Sequence, residues 1–176
     1  DLLAQAEHDT AAQSILMTDD AGFAAGVTKA VERQLKTLAR SNIAGESWNA
    51  FGATIVLSSL DDAPALADRI AAEHLEIATA DCEGLAKRIR NAGAIFLGSM
   101  TPEVIGDYVS GSNHVLPTAR SARFSSGLGV LDYMKRTSLL KLDGAALKAL
   151  GPAAMMLARA EGLEAHRRSV EVRLES

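Results

Sequence analysis

Four short apolar runs divide the first part of the chain. They read QSILMT, ATIVL, LEIAT and GAIFLG, at residues 13–18, 53–57, 75–79 and 93–98. Each run is bounded by polar or turn residues, as is typical of a strand buried on both faces. Between the runs, helices are predicted up to about Arg40, from Ser59 or Asp61, and from Cys82 to Asn91. Parallel strands need such crossover helices, so the pattern predicts an α/β fold with a mostly parallel sheet and helices on both faces.

From about Thr101 the alternation gives way to a short helix and an irregular stretch at residues 107–129, rich in Gly, Ser and Asn. Long ordered loops in compact domains are usually functional. An extended segment is predicted near 131–140, and the tail that follows is predicted to be helical. Asp143 can cap its first helix, which the Gly-Pro pair at 151–152 is expected to break.

The second tail helix is predicted from about Pro152 to Val172, and its apolar residues lie on one broad face. Such a tail needs a partner surface, either the sheet domain of its own chain or another subunit. The pattern therefore predicts an α/β domain over 1–130 and a helical tail over 131–176. The predicted fold class is therefore α/β, an incomplete Rossmann-like domain with a C-terminal helical tail.

The composition of the chain argues against nucleic acid and membranes as partners. Of 176 residues, 48% are hydrophobic and 23% charged, with a net charge of -4 and no basic stripe, so nucleic acid is not an expected partner. The apolar runs are far shorter than the roughly 20 residues of a membrane span, and we expect a cytoplasmic protein without a membrane partner. A single cysteine, Cys82, excludes an internal disulfide and a cysteine zinc cluster. The chain begins at Asp1 inside a predicted helix, which suggests a piece of a longer protein.

Four histidines are the first candidates for chemistry: His8, His74, His114 and His166. Gln5 and His8 are three residues apart, which places both on one face of a helix, where they could grip one ion. The alternative is an exposed polar face of a terminal helix. Histidines in general are more often structural than ligating, so spacing alone leaves both interpretations open.

Other candidates have equally ordinary alternatives. Glu73 and His74 form an ionisable pair among apolar residues, suited to proton transfer. Asp107 could supply an anionic ligand oxygen, or only cap a helix. His166 and Glu161 could be a solvated edge of the tail. The sequence has no G-x-G-x-x-G after a strand, no P-loop, no H-E-x-x-H and no G-x-S-x-G, so the residues alone name no activity.

Five motifs occur in a family's order: DLLAQAEHD, AAEHLEI, GDYVSGSNHVLPT, ARFSSGLGVLDYMKR and AEGLEAH. Together they span essentially the whole chain, which resembles the C-terminal part of histidinol dehydrogenase. The resemblance implies a zinc-dependent enzyme of histidine biosynthesis that oxidises L-histidinol to L-histidine with two molecules of NAD.

Carried over residue by residue, the resemblance implies a zinc site and a substrate site that share residues. Zinc would be held by Gln5, His8, Asp107 and His166. This nitrogen and oxygen set leaves room for substrate to join the coordination sphere. The substrate would contact Gln5, His8, His74, Asp107, His114, Glu161 and His166.

The resemblance makes Glu73 and His74 the catalytic pair. His74 would take the proton from the alcohol, and again from the hydrated aldehyde in the second oxidation. Glu73 would activate the water that adds to the aldehyde between those steps. Two bases suit a reaction that removes two hydrides and adds one water.

The resemblance also implies what this chain lacks. Family members are more than twice this length, and their upstream half supplies most NAD contacts, so the resemblance assigns no NAD-binding residue to this chain. The tail would cross to the neighbouring subunit of a homodimer, where Glu161 and His166 complete the partner's site. We expect the segment alone to be inactive.

Two other classes of function remain as alternatives. One is a stand-alone metal- or imidazole-binding module, a sensor or carrier without a cofactor domain. The other is a zinc hydrolase with Glu73 as base for a metal-bound water. The hydrolase is the weaker of the two, because a zinc that also holds two substrate nitrogens has less need of a nucleophilic water.

Overall fold

The computed structural model describes residues 1–175. They divide into two compact units, Asp1–Tyr133 and a second unit that begins at Met134. Within the described part of the chain, no helix combines the length and the apolar composition that crossing a membrane requires.

The first unit alternates short strands and helices. Its helices are α1 (Leu2–Ala6), α2 (Ala21–Leu35), α3 (Ser41–Phe51), α4 (Ala63–Ile70), α5 (Cys82–Ala86) and α6 (Glu103–Tyr108). Its strands are β1 (Ile15–Thr18), β2 (Ala53–Val56), β3 (His74–Ile77) and β4 (Ala94–Leu97). Three short 3-10 turns lie at Leu60–Asp62, Ser121–Arg123 and Val130–Tyr133. The second unit contains α7 (Gly144–Ala160) and α8 (Glu164–Leu174).

The strands pair in parallel, as predicted. β1 pairs with β2, and Ile15 lies opposite Ala53. β3 pairs with β4, and His74 lies opposite Ala94. In the described residues these pairs form two separate two-stranded sheets, each joined by at least one crossover helix. The α/β class predicted from the apolar runs is confirmed, although the strands do not merge into one sheet here.

The N-terminal helix α1 rests on a small apolar core. Leu3 and Ala6 are buried against Val31 of α2 and Ala44 of α3, and further partly buried apolar side chains surround them. Residues as small as alanine at this contact let the helix backbones approach closely. Because these residues face inward, the opposite face of α1 is available to other groups.

Two buried serines tie the chain around α1 to its neighbours. Ser14, 3% exposed, donates from its hydroxyl to the carbonyl oxygen of Leu2 at 2.7 Å. Ser47 of α3 is fully buried and donates to the carbonyl oxygen of Ala12 at 2.8 Å. Both hydroxyls satisfy backbone carbonyls that would otherwise lose their hydrogen bonds on burial. The N-terminal segment is therefore anchored at both ends.

The structure differs from the sequence prediction at helix ends in the first unit. The helix predicted to Arg40 ends at Leu35, and α3 follows, which the sequence pattern did not predict. The helix predicted from Cys82 to Asn91 ends at Ala86. The Asp68 carboxylate accepts from the backbone N–H groups of Arg90 (2.7 Å) and Asn91 (2.8 Å), so those donors are satisfied outside a helix.

The segment predicted to be extended near 131–140 starts instead with the 3-10 turn Val130–Tyr133. Here the Asp132 carboxylate accepts from the backbone N–H of Gly129 at 2.7 Å. A side chain that bonds its own local backbone favours a turn over a strand. No strand is formed by residues 134–140 either.

The predicted helix break at 151–152 is wrong. Pro152 lies inside the continuous helix α7, and the chain turns at 161–163, where Gly162 has a φ of +73°. Gly151 explains part of this arrangement, because a Cβ there would lie 3.0 Å from side-chain atoms of both Val170 and Leu174. The glycine lets α8 pack closely on α7, and this packing offsets the hydrogen bond that proline removes.

Candidate active site

A pocket of about 220 Å³ in the first unit collects most of the residues predicted for the site. It is lined by Gln5, His8, Glu73, His74, Asp107 and His114. The other two predicted residues belong to the second unit, where Glu161 caps the C-terminus of α7 and His166 lies on α8. The functional roles assigned to all eight residues stay predictions.

A larger and more open depression of about 320 Å³ lies along residues 115–132. Its lining holds hydroxyl side chains, aliphatic side chains and one carboxylate, but no histidine. The smaller pocket combines three histidines with two carboxylates and an amide, and this denser set of ligand and proton-transfer groups makes it the candidate site.

Glu73 and His74 stand where β3 begins. The carbonyl oxygen of Glu73 accepts from the backbone N–H of Ala94 at 2.8 Å, which fixes the pair beside β4. A Cβ on Gly93 would lie 2.5 Å from that same oxygen, so only glycine allows this approach. Ligands of open parallel sheets usually bind at the carboxyl ends of strands, whereas this pair lies at the amino end of β3.

Asp107 reaches the pocket because α6 lies very close to β4. A Cβ on Gly106 would lie 2.3 Å from Cε1 of Phe96, so the absence of a side chain permits the contact. The Asp107 side chain is 8% exposed. Its Oδ2 lies 2.8 Å from Nδ1 of His114, and its Oδ1 lies 3.4 Å from Nε2 of His74. One carboxylate thus stands between two imidazoles.

His74 is a half-buried residue whose two ring nitrogens are buried and have no hydrogen bond among the described residues. Its side chain is 11% exposed, and its ring centroid lies 5.9 Å from that of Phe96. Nδ1 lies 3.6 Å from Oε1 of Glu103, which is ion-pair range but too long for a hydrogen bond. Neither ring nitrogen has a hydrogen-bond partner among the residues the structure describes. Because an unsatisfied buried polar group is costly, a ligand that bonds this ring would be stabilising.

The donor groups of the pocket fit zinc. Gln5 offers an amide oxygen, His8 an imidazole nitrogen and Asp107 a carboxylate oxygen, all lining the same pocket. A nitrogen and oxygen set with a place left for substrate is typical of catalytic zinc sites, whereas structural sites are usually closed by cysteine. One donor atom each of His74, Glu103 and Asp107 also lies within 4.8 Å of the other two, so a second carboxylate, that of Glu103, stands close to Asp107.

Sequence reasoning missed Glu103. It opens α6, where an acidic residue is ordinary because it complements the helix dipole. The available signal was its spacing, since Glu103 precedes Asp107 by four residues and therefore shares its helix face. Only the fold shows that this face meets His74.

Comparisons with known proteins bear on the whole chain. Residues 1–174 match the family model described as histidinol dehydrogenase. The histidinol dehydrogenase of Brucella suis biovar 1 is 71% identical and that of Nitrobacter winogradskyi 72%, each over 99% of this chain. The crystal structure of histidinol dehydrogenase from Elizabethkingia anophelis matches with a TM-score of 0.80 at 37% identity, over 99% of this chain and 40% of that one.

The match covers nearly all of this chain but less than half of each relative. The chain spans 40% of the Brucella protein and 41% of the Nitrobacter protein. The resemblance inferred from five motifs is confirmed, and the chain belongs to the histidinol dehydrogenase family.

Proposed function

We propose that this chain is a segment of a histidinol dehydrogenase that oxidises L-histidinol to L-histidine through the aldehyde, with two molecules of NAD, in histidine biosynthesis. One observation carries the proposal: in a chain of this family, Gln5, His8, Glu73, His74, Asp107 and His114 line a single pocket. No separate observation favours a sensor or carrier. A cytoplasmic location is part of the proposal.

Zinc is the proposed metal, held by Gln5, His8 and Asp107 with His166 as a fourth ligand. When bound, it would anchor the imidazole and amino nitrogens of histidinol and so orient the alcohol. His114 is proposed to contact substrate, and its 2.8 Å contact with Asp107 would fix the direction of its ring. The pocket residues thereby select an imidazole-bearing amino alcohol.

His74 is the proposed base for both oxidations. It would take the proton of the alcohol while a hydride leaves the same carbon for NAD, the hydride acceptor, and would later take the proton of the aldehyde hydrate. Its ring lines the pocket, and its buried nitrogens have no competing hydrogen bond in the described residues. Such a ring is available to a substrate hydroxyl.

Glu73 is the proposed base for the water that adds between the two oxidations. Its neighbour His74 starts β3, so both side chains reach the pocket from adjacent positions. Two separate bases let water addition and proton removal from the alcohol use different groups.

A homodimer with exchanged tails is also proposed. Glu161 and His166 would then serve the site of the neighbouring subunit. The helical hairpin α7–α8 is a compact unit of its own, consistent with a tail that docks as one piece. Sedimentation of the protein with and without the second unit would test this part.

The experiment that tests the function is a calorimetric titration of L-histidinol into the protein, with zinc and after chelation. Binding should require zinc and disappear in His8→Ala, while Glu7→Ala, a neighbouring residue that does not line the pocket, should bind normally. NADH formation by the full-length polypeptide should follow the same pattern. Zinc-independent binding, or none at full length, would contradict the proposal.

A further inference from the structure

The ring of His74 faces one carboxylate at each nitrogen. Oε1 of Glu103 lies 3.6 Å from Nδ1, and Oδ1 of Asp107 lies 3.4 Å from Nε2. A neutral imidazole carries a hydrogen on only one nitrogen, so it can donate to only one of these carboxylates. The tautomer determines which nitrogen is left with a free lone pair, and so which nitrogen can act as a base.

The two carboxylates are not equivalent. Asp107 already accepts from His114 at 2.8 Å and lines the pocket as a proposed zinc ligand. The Glu103 carboxylate is 14% exposed, and in residues 1–175 His74 is its single ion-pair or hydrogen-bond partner. A largely buried carboxylate with no other partner is the stronger acceptor for the imidazole N–H.

Glu103 is also held in place from β3. The Glu76 carboxylate accepts from the backbone N–H of Glu103 at 2.9 Å. His74 and Glu76 are two apart on β3 and therefore point to the same face of the strand. One strand face thus fixes the backbone of Glu103 and presents the imidazole to its side chain.

We propose that Glu103 is the positioning residue of His74: its carboxylate attracts the Nδ1 hydrogen across the 3.6 Å contact, which shortens to a hydrogen bond when substrate binds, and Nε2 stays unprotonated toward the pocket. The inference rests on the proposed function, because it assigns the proton-accepting atom. The alcohol O–H bond breaks as an Nε2–H bond forms, the hydride leaves carbon with its electron pair for NAD, and the carbonyl forms. The Nδ1 hydrogen stays on the ring throughout, and the Nε2 proton returns to solvent.

If Glu103 only stabilised the start of α6, replacing it would have the same effect as replacing an acidic residue at the start of another helix. An acidic residue in the first turn of α6 complements the helix dipole whatever lies beside it. Glu83 occupies the same kind of position in the first turn of α5. Glu83→Gln therefore removes the same charge from a helix start without touching the imidazole, and serves as the matched control.

The first test reads the tautomer and needs no activity. ¹⁵N NMR of histidine-labelled full-length protein, with His74 assigned from a His74→Asn variant, distinguishes a protonated Nδ1 from a protonated Nε2. We expect the hydrogen on Nδ1 in the natural protein, and a shift of the population toward Nε2 in Glu103→Gln, with no change in Glu83→Gln. A hydrogen on Nε2 in the natural protein, metal coordination at Nδ1, or no response to Glu103→Gln would overturn the inference.

The second test separates kcat from KM in the full-length enzyme. Glu103→Gln and Glu103→Ala should lower kcat about 100-fold or more, as expected when a general base loses its orientation. KM for histidinol and zinc content should stay near their natural values, and Glu103→Asp should recover part of kcat. An unchanged kcat, or a loss equal to that of Glu83→Gln, would overturn the inference.

The two proposals fail separately. A protein with the expected tautomer that does not oxidise histidinol would contradict the proposed function but support the contact between Glu103 and His74. If the protein oxidises histidinol but the tautomer of His74 does not change in Glu103→Gln, only the positioning role of Glu103 would be contradicted.

Discussion

Gly106 lies against the ring of Phe96 so closely that a Cβ at this position would be 2.3 Å from the ring carbon Cε1. This contact sets the distance between α6 and β4. It also sets the position of Asp107, the next residue, whose carboxylate reaches two histidines of the pocket. The pocket therefore depends on the absence of one methyl group.

Gly106→Ala should damage both stability and binding. The added methyl must displace a buried ring, and overpacking of this kind costs about 1–3 kcal/mol in the free energy of unfolding. Because α6 would move outward, zinc and histidinol affinities should fall as well. Denaturant unfolding and calorimetry measure the two effects.

Gly26→Ala is the matched control for that substitution. Gly26 lies within α2, and a Cβ there would meet nothing within 4 Å. Alanine should stabilise the helix by about 0.5–1 kcal/mol and leave histidinol binding unchanged. Normal stability and binding in Gly106→Ala would show that α6 can move without cost.

Asp107→Asn should release zinc while leaving the fold intact. The amide keeps the shape of the carboxylate but loses its charge, and removal of groups that only support metal ligands already lowers affinity about 10–100-fold. We expect at least that loss, measured as metal content after gel filtration. Asp62→Asn is the control, since Asp62 is exposed and its side chain caps no helix. Full zinc occupancy in Asp107→Asn would remove Asp107 from the ligand set.

Glu73→Gln should separate the two oxidations. Zinc should stay bound and the first oxidation should proceed, while the aldehyde accumulates or its oxidation slows, because the added water has lost its base. His74→Asn should slow both oxidations. Trapping the aldehyde during a single turnover measures the difference. An unchanged second oxidation in Glu73→Gln would refute the role of Glu73 in water addition.

The helix α8 should lose stability in acid. Arg167 bonds Glu164 at 2.7 Å and Glu171 at 2.5 Å, and these hydrogen bonds hold the pKa of both glutamates below the ordinary value of 4.5. A carboxyl group with a lowered pKa in the folded state stabilises above its unfolded pKa, and that contribution is lost as the pH falls through the folded value. Protection of the α8 amides from hydrogen exchange should therefore drop below pH 4.5.

Arg167→Ala should reduce α8 protection at neutral pH and flatten its decline in acid. Arg168→Ala is the matched control, because Arg168 acts on both glutamates only through weaker, longer-range attraction. The same acid profile in Arg167→Ala and in the natural protein would exclude these ion pairs as its cause.

Much of the fold follows from local pattern, and the exceptions have specific causes. All four strands were placed within two residues because apolar runs between turns are a strong local signal. Helix α3 was missed because its Gly, Asn and Ser content is weak for a helix, and what stabilises it is burial of Ala44 and Ser47 against other elements. The helix break predicted at Pro152 was wrong for the opposite reason. Proline strongly disfavours a helix interior, but packing of α8 on α7 stabilises the continuous helix.

The sequence predicted only those site residues that lie within the recognised motifs. Spacing alone could not choose between a metal ligand and a polar helix face for Gln5 and His8, and the family resemblance supplied that choice. The contact between His74 and Glu103 joins residues 29 positions apart through β4 and α6, so no local pattern encodes it. Long-range contacts of this kind emerge only from the folded chain.

The buried hydroxyls of Ser14 and Ser47 have a consequence for rates. A metal ion held by Gln5 and His8 would sit on a segment anchored by two buried hydrogen bonds, and we expect its release to be coupled to opening of that segment. Exchange of zinc with a chelator should then become independent of chelator concentration once the chelator is in excess. The limiting exchange rate would equal the rate at which residues 1–12 open, so zinc exchange would measure the local unfolding rate of this segment.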